Sequence, residues 1–416
     1  MQQKNKISNG VKISAKEILD SKGMPTVEVQ LETDFGRFFA SVPSGLSTGK
    51  YEAVELRDAD GKGVKKAIEN VEKIIAPVLK KEDFTSQTRI DDILIQLDGT
   101  KNKSRLGANA ILPVSIAVCR AIATKNTLPL YHYISQLAEN SSRPTLPKPS
   151  FNMIEGGKHA DNKLAFQEFM IVPQMGTFED NLGIGVRIYQ KLKEILERKY
   201  GKENVKLSKE GAFSAPLEKI SEALDSILAA AQELNFQNNI KIVIDAAASE
   251  FYENGNYKIN GKIIPKEELL KLYKNLTEKY QIISGVEDPF VQEDFESFSE
   301  IKKIVGDSIT IFGDDLLVSN VERIKEAEGK KACSGLILKP NQIGTVSETI
   351  EAARLAKSFG WKIMVANRGG ETEDDFIADL AVGIGAEFIK SGAPFPRERM
   401  AKYNRLAKIE EELHKN

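Results

Sequence analysis

Cysteine is nearly missing from this 416-residue chain, which has only Cys119 and Cys333. Both lie among apolar or small residues, so a disulfide scaffold is excluded and buried thiols in a reducing compartment are expected. A charge excess of either sign is missing too: 58 Lys and Arg face 60 Asp and Glu, for a net charge of −2. Nucleic-acid and membrane binding favour a basic face, and nothing here supplies one. No run approaches 18 consecutive apolar residues, so no membrane span is expected. Residues 1–10 are polar and lack the apolar core of a signal peptide. These absences together predict a cytoplasmic protein. Low-complexity tracts and internal repeats are also lacking. What remains is an ordinary globular composition, 41% apolar and 28% charged. At this length two domains are expected.

The first 45 residues read as strands. Val27, Val29 and Leu31 alternate with polar neighbours, Asp34-Phe35-Gly36 suits a turn, and the chain returns over 38–42. Over 63–125 the pattern becomes helical, with Ile90, Ile93, Leu94 and Leu97 on one face. Strands followed by helices predict a compact α+β domain, closed by a polar, proline-bearing stretch at 139–149. Short apolar strands separated by amphipathic helices then predict an α/β architecture. The strands are 240–244, 282–286, 309–312, 335–338, 362–365 and 387–389, later ones spaced by about one βα unit. Each runs into a charged or amide residue: Asp245, Glu287, Asp314, Lys339, Asn367 and Lys390. Six such units predict a TIM-type barrel with its site at the strand C-termini. Met400, Tyr403, Leu406, Ile409 and Leu413 suit a final helix docked on it.

In a barrel Asp245, Glu287 and Asp314 converge. Each taken alone suits a helix N-cap. Three carboxylates around one point repel unless a cation joins them, and all-oxygen donors favour Mg²⁺ over Zn²⁺. Lys339 and Lys390 end later strands and should stand opposite. Surface exposure is the commonest fate of a lysine, but Leu336-Ile337-Leu338 and Phe388-Ile389 lead these two inward. A lysine beside a metal and a second lysine is expected to have a depressed pKa, which makes a neutral amine base accessible.

A long ordered series of motifs then carries a resemblance. It includes Val42-Pro43-Ser44-Gly45 with Ser47-Thr48-Gly49, Leu97-Asp98-Gly99-Thr100, Gln167-Glu168-Phe169-Met170 and Ala247-Ala248-Ser249-Glu250-Phe251. Glu287-Asp288-Pro289-Phe290, Gly313-Asp314-Asp315-Leu316, Asn341-Gln342-Ile343-Gly344 and Lys390-Ser391-Gly392-Ala393-Pro394 continue it. Over nearly its whole length the chain resembles the enolase (phosphopyruvate hydratase) family. The resemblance implies an enolase-type barrel over 141–416 behind a smaller α+β capping domain over 1–140. It also implies a homodimer or higher homo-oligomer, and Mg²⁺-dependent dehydration of 2-phosphoglycerate, a small phosphorylated carboxylate, to phosphoenolpyruvate. Position by position, Asp245, Glu287 and Asp314 match ligands of a first Mg²⁺, and Ser47 matches a residue that helps hold a second. Lys339 matches the base that removes the α-proton, and Lys390 the group that binds the substrate carboxylate. Glu210 and Glu168 match the pair that assists departure of the hydroxyl. His159 and Gln167 match further substrate-side residues, and Arg368 the phosphate-binding arginine. A lone histidine is usually a satisfied or solvated residue, but His159 lies in a Gly-Gly-Lys-His loop just before Gln167.

Departures cluster on one side of the site. Asn367 stands where the family has a substrate-proximal histidine, and Gly369 where it has a phosphate-binding serine. Lys209 replaces an acidic neighbour of Glu210 and is expected to lower the pKa of Glu210. Glu155 replaces an asparagine. The pattern leaves two other readings open. One is a paralogue acting on a related phospho- or phosphonocarboxylate, as in carboxyphosphonoenolpyruvate synthase. The other is a non-catalytic binding protein on the same fold.

Overall fold

The computed structural model describes residues 11–45 and 49–415. Strands β1 (Lys12–Leu19), β2 (Pro25–Thr33) and β3 (Gly36–Ser41) form an antiparallel sheet in that order. Val27, Val29 and Leu31 turn inward from β2, as period-two alternation dictates. The helices α1 (Lys65–Asn70), α2 (Gln87–Asp98), α3 (Ala108–Lys125) and α4 (Leu130–Leu137) follow. Ser86 caps α2 by accepting from the Arg89 amide, and Gly99 ends it in the left-handed conformation. Ile90 and Leu94 are buried beneath it, with Ile93 and Leu97 packed at the margin. By length and composition α3 is apolar enough to cross a bilayer, unlike the expectation from runs alone. It is a core helix here: 83% of it is buried, against β2 and β3.

Eight strands make the barrel: β4 (Lys148–Glu155), β5 (Glu168–Pro173), β6 (Ile240–Asp245), β7 (Ile283–Glu287), β8 (Thr310–Gly313), β9 (Gly335–Leu338), β10 (Lys362–Ala366) and β11 (Phe388–Lys390). They pair in chain order, and β11 closes onto β4. The last six match the sequence reading within a residue or so; β4 and β5 escaped it because no α-helix separates them. β5 runs antiparallel to both neighbours. Its first residue, Glu168, therefore reaches the rim where the other strands end, opposite Asp245 and Glu155 in register. A two-residue pairing of 206–207 with 213–214 extends the sheet beside β4 and carries Glu210 in its turn.

Met170, Val172, Val243, Phe312, Ile337, Met364 and Ala366 fill the barrel interior, with Phe388 against them. The lumen is packed, so chemistry is confined to the rim. The closing helix, labelled α12 (Arg397–Lys415), buries Tyr403, Leu406 and Ile409, with Met400 and Leu413 half-buried as the spacing predicts. The N-terminal sheet reaches the same rim: Ser44 and Gly370 exchange backbone hydrogen bonds of 2.8 and 2.9 Å. A β-carbon on Gly370 would lie 2.2 Å from an Asp20 oxygen, so this approach requires glycine.

Candidate active site

Asp245, Glu287 and Lys390 are the last residues of β6, β7 and β11; Asp314 and Lys339 follow β8 and β9 directly. All but Lys339 are buried, and its side chain is only 12% exposed. Lys390 Nζ lies 2.7 and 2.8 Å from the two Glu287 oxygens, 3.3 Å from Glu168 and 3.7 Å from Asp245. The Lys339 ammonium donates to Asp314 Oδ2, and Gln342 Nε2 donates to Asp314 Oδ1 at 3.0 Å. Asp314 is held from behind as well. The Asp288 carboxylate accepts from the amides of Asp314 (2.9 Å) and Asp315 (2.7 Å). Asp288 itself sits at φ +40°, a strained conformation for a non-glycine residue that this bonding maintains.

These contacts set the electrostatics. Burial, then Asp245, pushes the Glu287 carboxyl well up, with Lys390 opposing. Burial alone would lower the Lys390 ammonium, but Glu168, Glu287 and Asp245 outweigh it and hold the group well up. Among charged neighbours, Lys339 answers chiefly to Asp314. Burial lowers it, yet contact with Asp314 prevails over Arg368 and Lys390 and holds it above its ordinary value. Burial would raise Asp314 in turn, but the Lys339 ammonium keeps it low.

Glu210 faces this group from the turn beside β4. Gly211 after it has φ +83°, and a β-carbon there would lie 2.4 Å from Pro396. Asn367 Nδ2 donates to Glu210 Oε2 at 3.2 Å. Although burial raises Glu210, the Arg399 guanidinium, then His159 and Asn367, bring it below its ordinary value. Lys209, expected to do this, is exposed and is not among the causes. Arg399 was not anticipated: it is fully buried on α12, donating to the carbonyls of Arg368 (2.7 Å) and Gly369 (2.8 Å). Its only sequence signal is a charged residue on the buried face of a helix. Burial, with Glu210 and Asp245 opposed by Lys390, pushes Glu168 up to about 8. His159 Nδ1 lies 3.5 Å from Glu168, and burial lowers the pKa of the ring. Gln167 Nε2 lies 3.4 Å from Asp245. Arg368, expected to clasp phosphate, turns its fork to Glu52 of the N-terminal domain (2.8 and 3.1 Å) and to Asn341. Ser47 lies outside the described residues.

His159, Gln167, Glu168, Glu210, Asp245, Asp314, Lys339, Asn367, Arg368, Gly369 and Lys390 line one cleft of about 20 Å³, and Glu287 lies behind Lys390. That is room for about one water, so the charged groups touch one another. A larger groove of about 920 Å³ lies elsewhere, between Ile264 and the helix Lys266–Lys279. Lys163, Lys262, Lys271 and Glu268 lining it are exposed, and no buried polar group points into it, so the chemistry belongs to the small cleft. Asp245 and Asp314 both raise the proton affinity of Glu287, and all three offer only oxygen donors. They fit a hard divalent cation such as Mg²⁺.

A closed barrel with buried carboxylates and two lysines at one rim defines a barrel enzyme of the acid–base type. Comparison with known proteins specifies it. Residues 11–134 match the family model "Enolase, N-terminal domain", and residues 143–416 match "Enolase, C-terminal TIM barrel domain". The chain is similar to the enolase of Mastigamoeba balamuthi, 49% identical over 97% of this chain and 96% of that protein. It is also similar to enolase B of Dictyostelium discoideum, 50% identical over 97% and 95%. The chain belongs to the enolase family.

Proposed function

We propose that this protein is an enolase-type hydro-lyase that dehydrates 2-phosphoglycerate to phosphoenolpyruvate. The supporting observation is the gathering of Lys339, Lys390, Glu168, Glu210 and the Asp245–Glu287–Asp314 triad at one barrel rim. Lys339, as the free amine, takes the proton from the carbon beside the substrate carboxylate. The C–O bond at the next carbon then breaks, and the hydroxyl leaves as water with a proton from the Glu168–Glu210 pair. Lys390 holds the substrate carboxylate, with His159 and Gln167 beside the leaving group. Arg368 reaches the phosphate by sharing its fork with Glu52, and Asn367 and Gly369 border that end. Asp245, Glu287 and Asp314, with Ser47 for a second site, are the residues that would hold Mg²⁺. When bound, Mg²⁺ supplies positive charge that lowers the cost of the enolate dianion. Residues 1–140 and 141–416 serve as capping and catalytic units of a cytoplasmic homo-oligomer. Mass across a sizing column gives the oligomeric state.

The decisive experiment is a Mg²⁺-dependent assay with 2-phosphoglycerate, followed by the absorbance of phosphoenolpyruvate. Turnover lost on chelation supports the reading. Absence of turnover with correctly folded protein overturns it. Asn367 and Gly369 favour a second reading, a related phospho- or phosphonocarboxylate substrate, and such compounds belong in the same assay.

A further inference from the structure

Glu155 ends β4 and is completely buried. Its carboxyl is only half satisfied: Oε1 accepts from Asn152 Nδ2 at 2.6 Å, whereas Oε2 has no partner. The two ring nitrogens of His159, 3.9 Å away at the nearer, are buried and unpartnered as well. One atom from each of Glu155, His159, Glu168 and Glu210 lies within 4.8 Å of the others. Three carboxyls at that spacing, shut off from water, do not all ionise, because each charge opposes the next.

The groups that face Glu155 decide which one keeps the proton. Glu168 faces it from β5, Glu210 and Ser208 from the neighbouring turn, His159 from the loop after β4, and Arg399 from α12. Lys390 and Asp245 stand beyond Glu168. Lys390 pairs with Glu287 and Glu168, and the terminal nitrogens of Arg399 donate to main-chain carbonyls, so neither forms an ion pair with Glu155 and Arg399 acts on it only from a distance. Glu210 has the Asn367 amide and the Arg399 guanidinium foremost among its stabilising neighbours. At Glu155, beyond the Asn152 amide, only the Ser208 hydroxyl and, last, Arg399 oppose burial and the two glutamates. Burial, then Glu210 and Glu168, pushes the Glu155 carboxyl well up, while the same surroundings lower Glu210.

We infer that Glu155 is a positioning residue for the proposed reaction: it stays un-ionised at neutral pH, keeps the proton of this acid cluster, and thereby leaves Glu210 a carboxylate beside Asn367. The inference rests on the assignment of Glu168 and Glu210 to the leaving-group side. When alkali removes the Glu155 proton, a further negative charge enters beside both glutamates. Glu155 therefore sets the alkaline limit of activity.

Infrared difference spectra of wild type and Glu155→Gln at neutral pH test where the proton sits, with no turnover required. Loss of a carbonyl stretch of un-ionised carboxylic acid is expected in the variant. Loss of carboxylate bands instead overturns the inference. The second readout is the pH profile of kcat/KM for 2-phosphoglycerate. The Gln variant should move the alkaline limb up by on the order of one pH unit, since it removes a like charge from the cluster. An unmoved limb refutes the positioning role. Should the variant fail to fold, Glu155→Asp takes its place: the acid band must shift and the alkaline limb move with it, and a band and limb both unmoved refute the role. If 2-phosphoglycerate is not turned over at any pH, the reaction assignment fails while the infrared spectra still locate the proton.

Discussion

Asn367 ties its amide to Glu210, and it cannot carry charge as a histidine in its place would. Gly369 beside it offers no hydroxyl. Each hydrogen bond to a charged group withheld in a dry site costs roughly 1.5–3 kcal/mol. If both act in the transition state, Asn367→His with Gly369→Ser should raise turnover of 2-phosphoglycerate by at least about tenfold. An unchanged rate would show that the amide and the glycine are neutral in this cleft. Lys339 makes the complementary case. Lys339→Ala should slow exchange of the substrate α-proton with solvent by roughly 10²–10⁴-fold, the usual worth of a positioned base. Exchange at the native rate would move the base elsewhere. For the triad, Mg²⁺ should raise the melting temperature of wild type and leave Asp314→Ala unmoved. These residues were legible in sequence because a barrel strand delivers its last side chain to the rim. Their partners were not. Asp314 against Lys339 joins neighbouring strands, while Glu52 against Arg368 and Arg399 against Glu210 bring together residues from distant parts of the chain. Spacing says nothing about such pairs, which is why Arg399, rather than the sequence neighbour Lys209, is the main cation acting on Glu210.

At the scale of elements, periodicity carried most of the information. The helices α2 and α12 bury the faces their apolar spacing predicts, and six barrel strands lie where apolar runs end on polar residues. β4 and β5 were harder to read because they are buried along almost their full lengths and follow one another without an α-helix. The reversal of β5 matters most, since it brings Glu168 to the rim by its first residue rather than its last. The interior cluster underneath supports every strand end at once. Met364→Ala should cost about 2–5 kcal/mol, transfer and cavity terms together. Chemical denaturation will show it as a lower midpoint at unchanged slope. A loss below about 1 kcal/mol would mean that the lumen collapses around the gap.

For the molecule as a whole, the site depends on the N-terminal domain staying in place. Arg120 of α3 forms a two-pronged pair with Asp374 of the barrel, 2.7 and 2.8 Å. Burial would raise the Asp374 carboxyl, but Arg120 holds it below its ordinary value. A depressed carboxyl adds stability that is complete above the unfolded value and is lost as pH falls through the folded one. Acid should therefore weaken this contact and neutral pH preserve it. Arg120→Met should cost about 3–5 kcal/mol by leaving Asp374 without its cation, and its stability should no longer fall as steeply in acid. Equal acid sensitivity in variant and wild type would exclude this pair as the cause. The chain alone determined the barrel, the carboxylates and lysines at its rim and the family, because alternation, helical spacing and motif order are local properties. Only the tertiary structure decided which charges touch and which strand runs backwards. Those outcomes depend on burial and on neighbours hundreds of residues away, which no local pattern encodes.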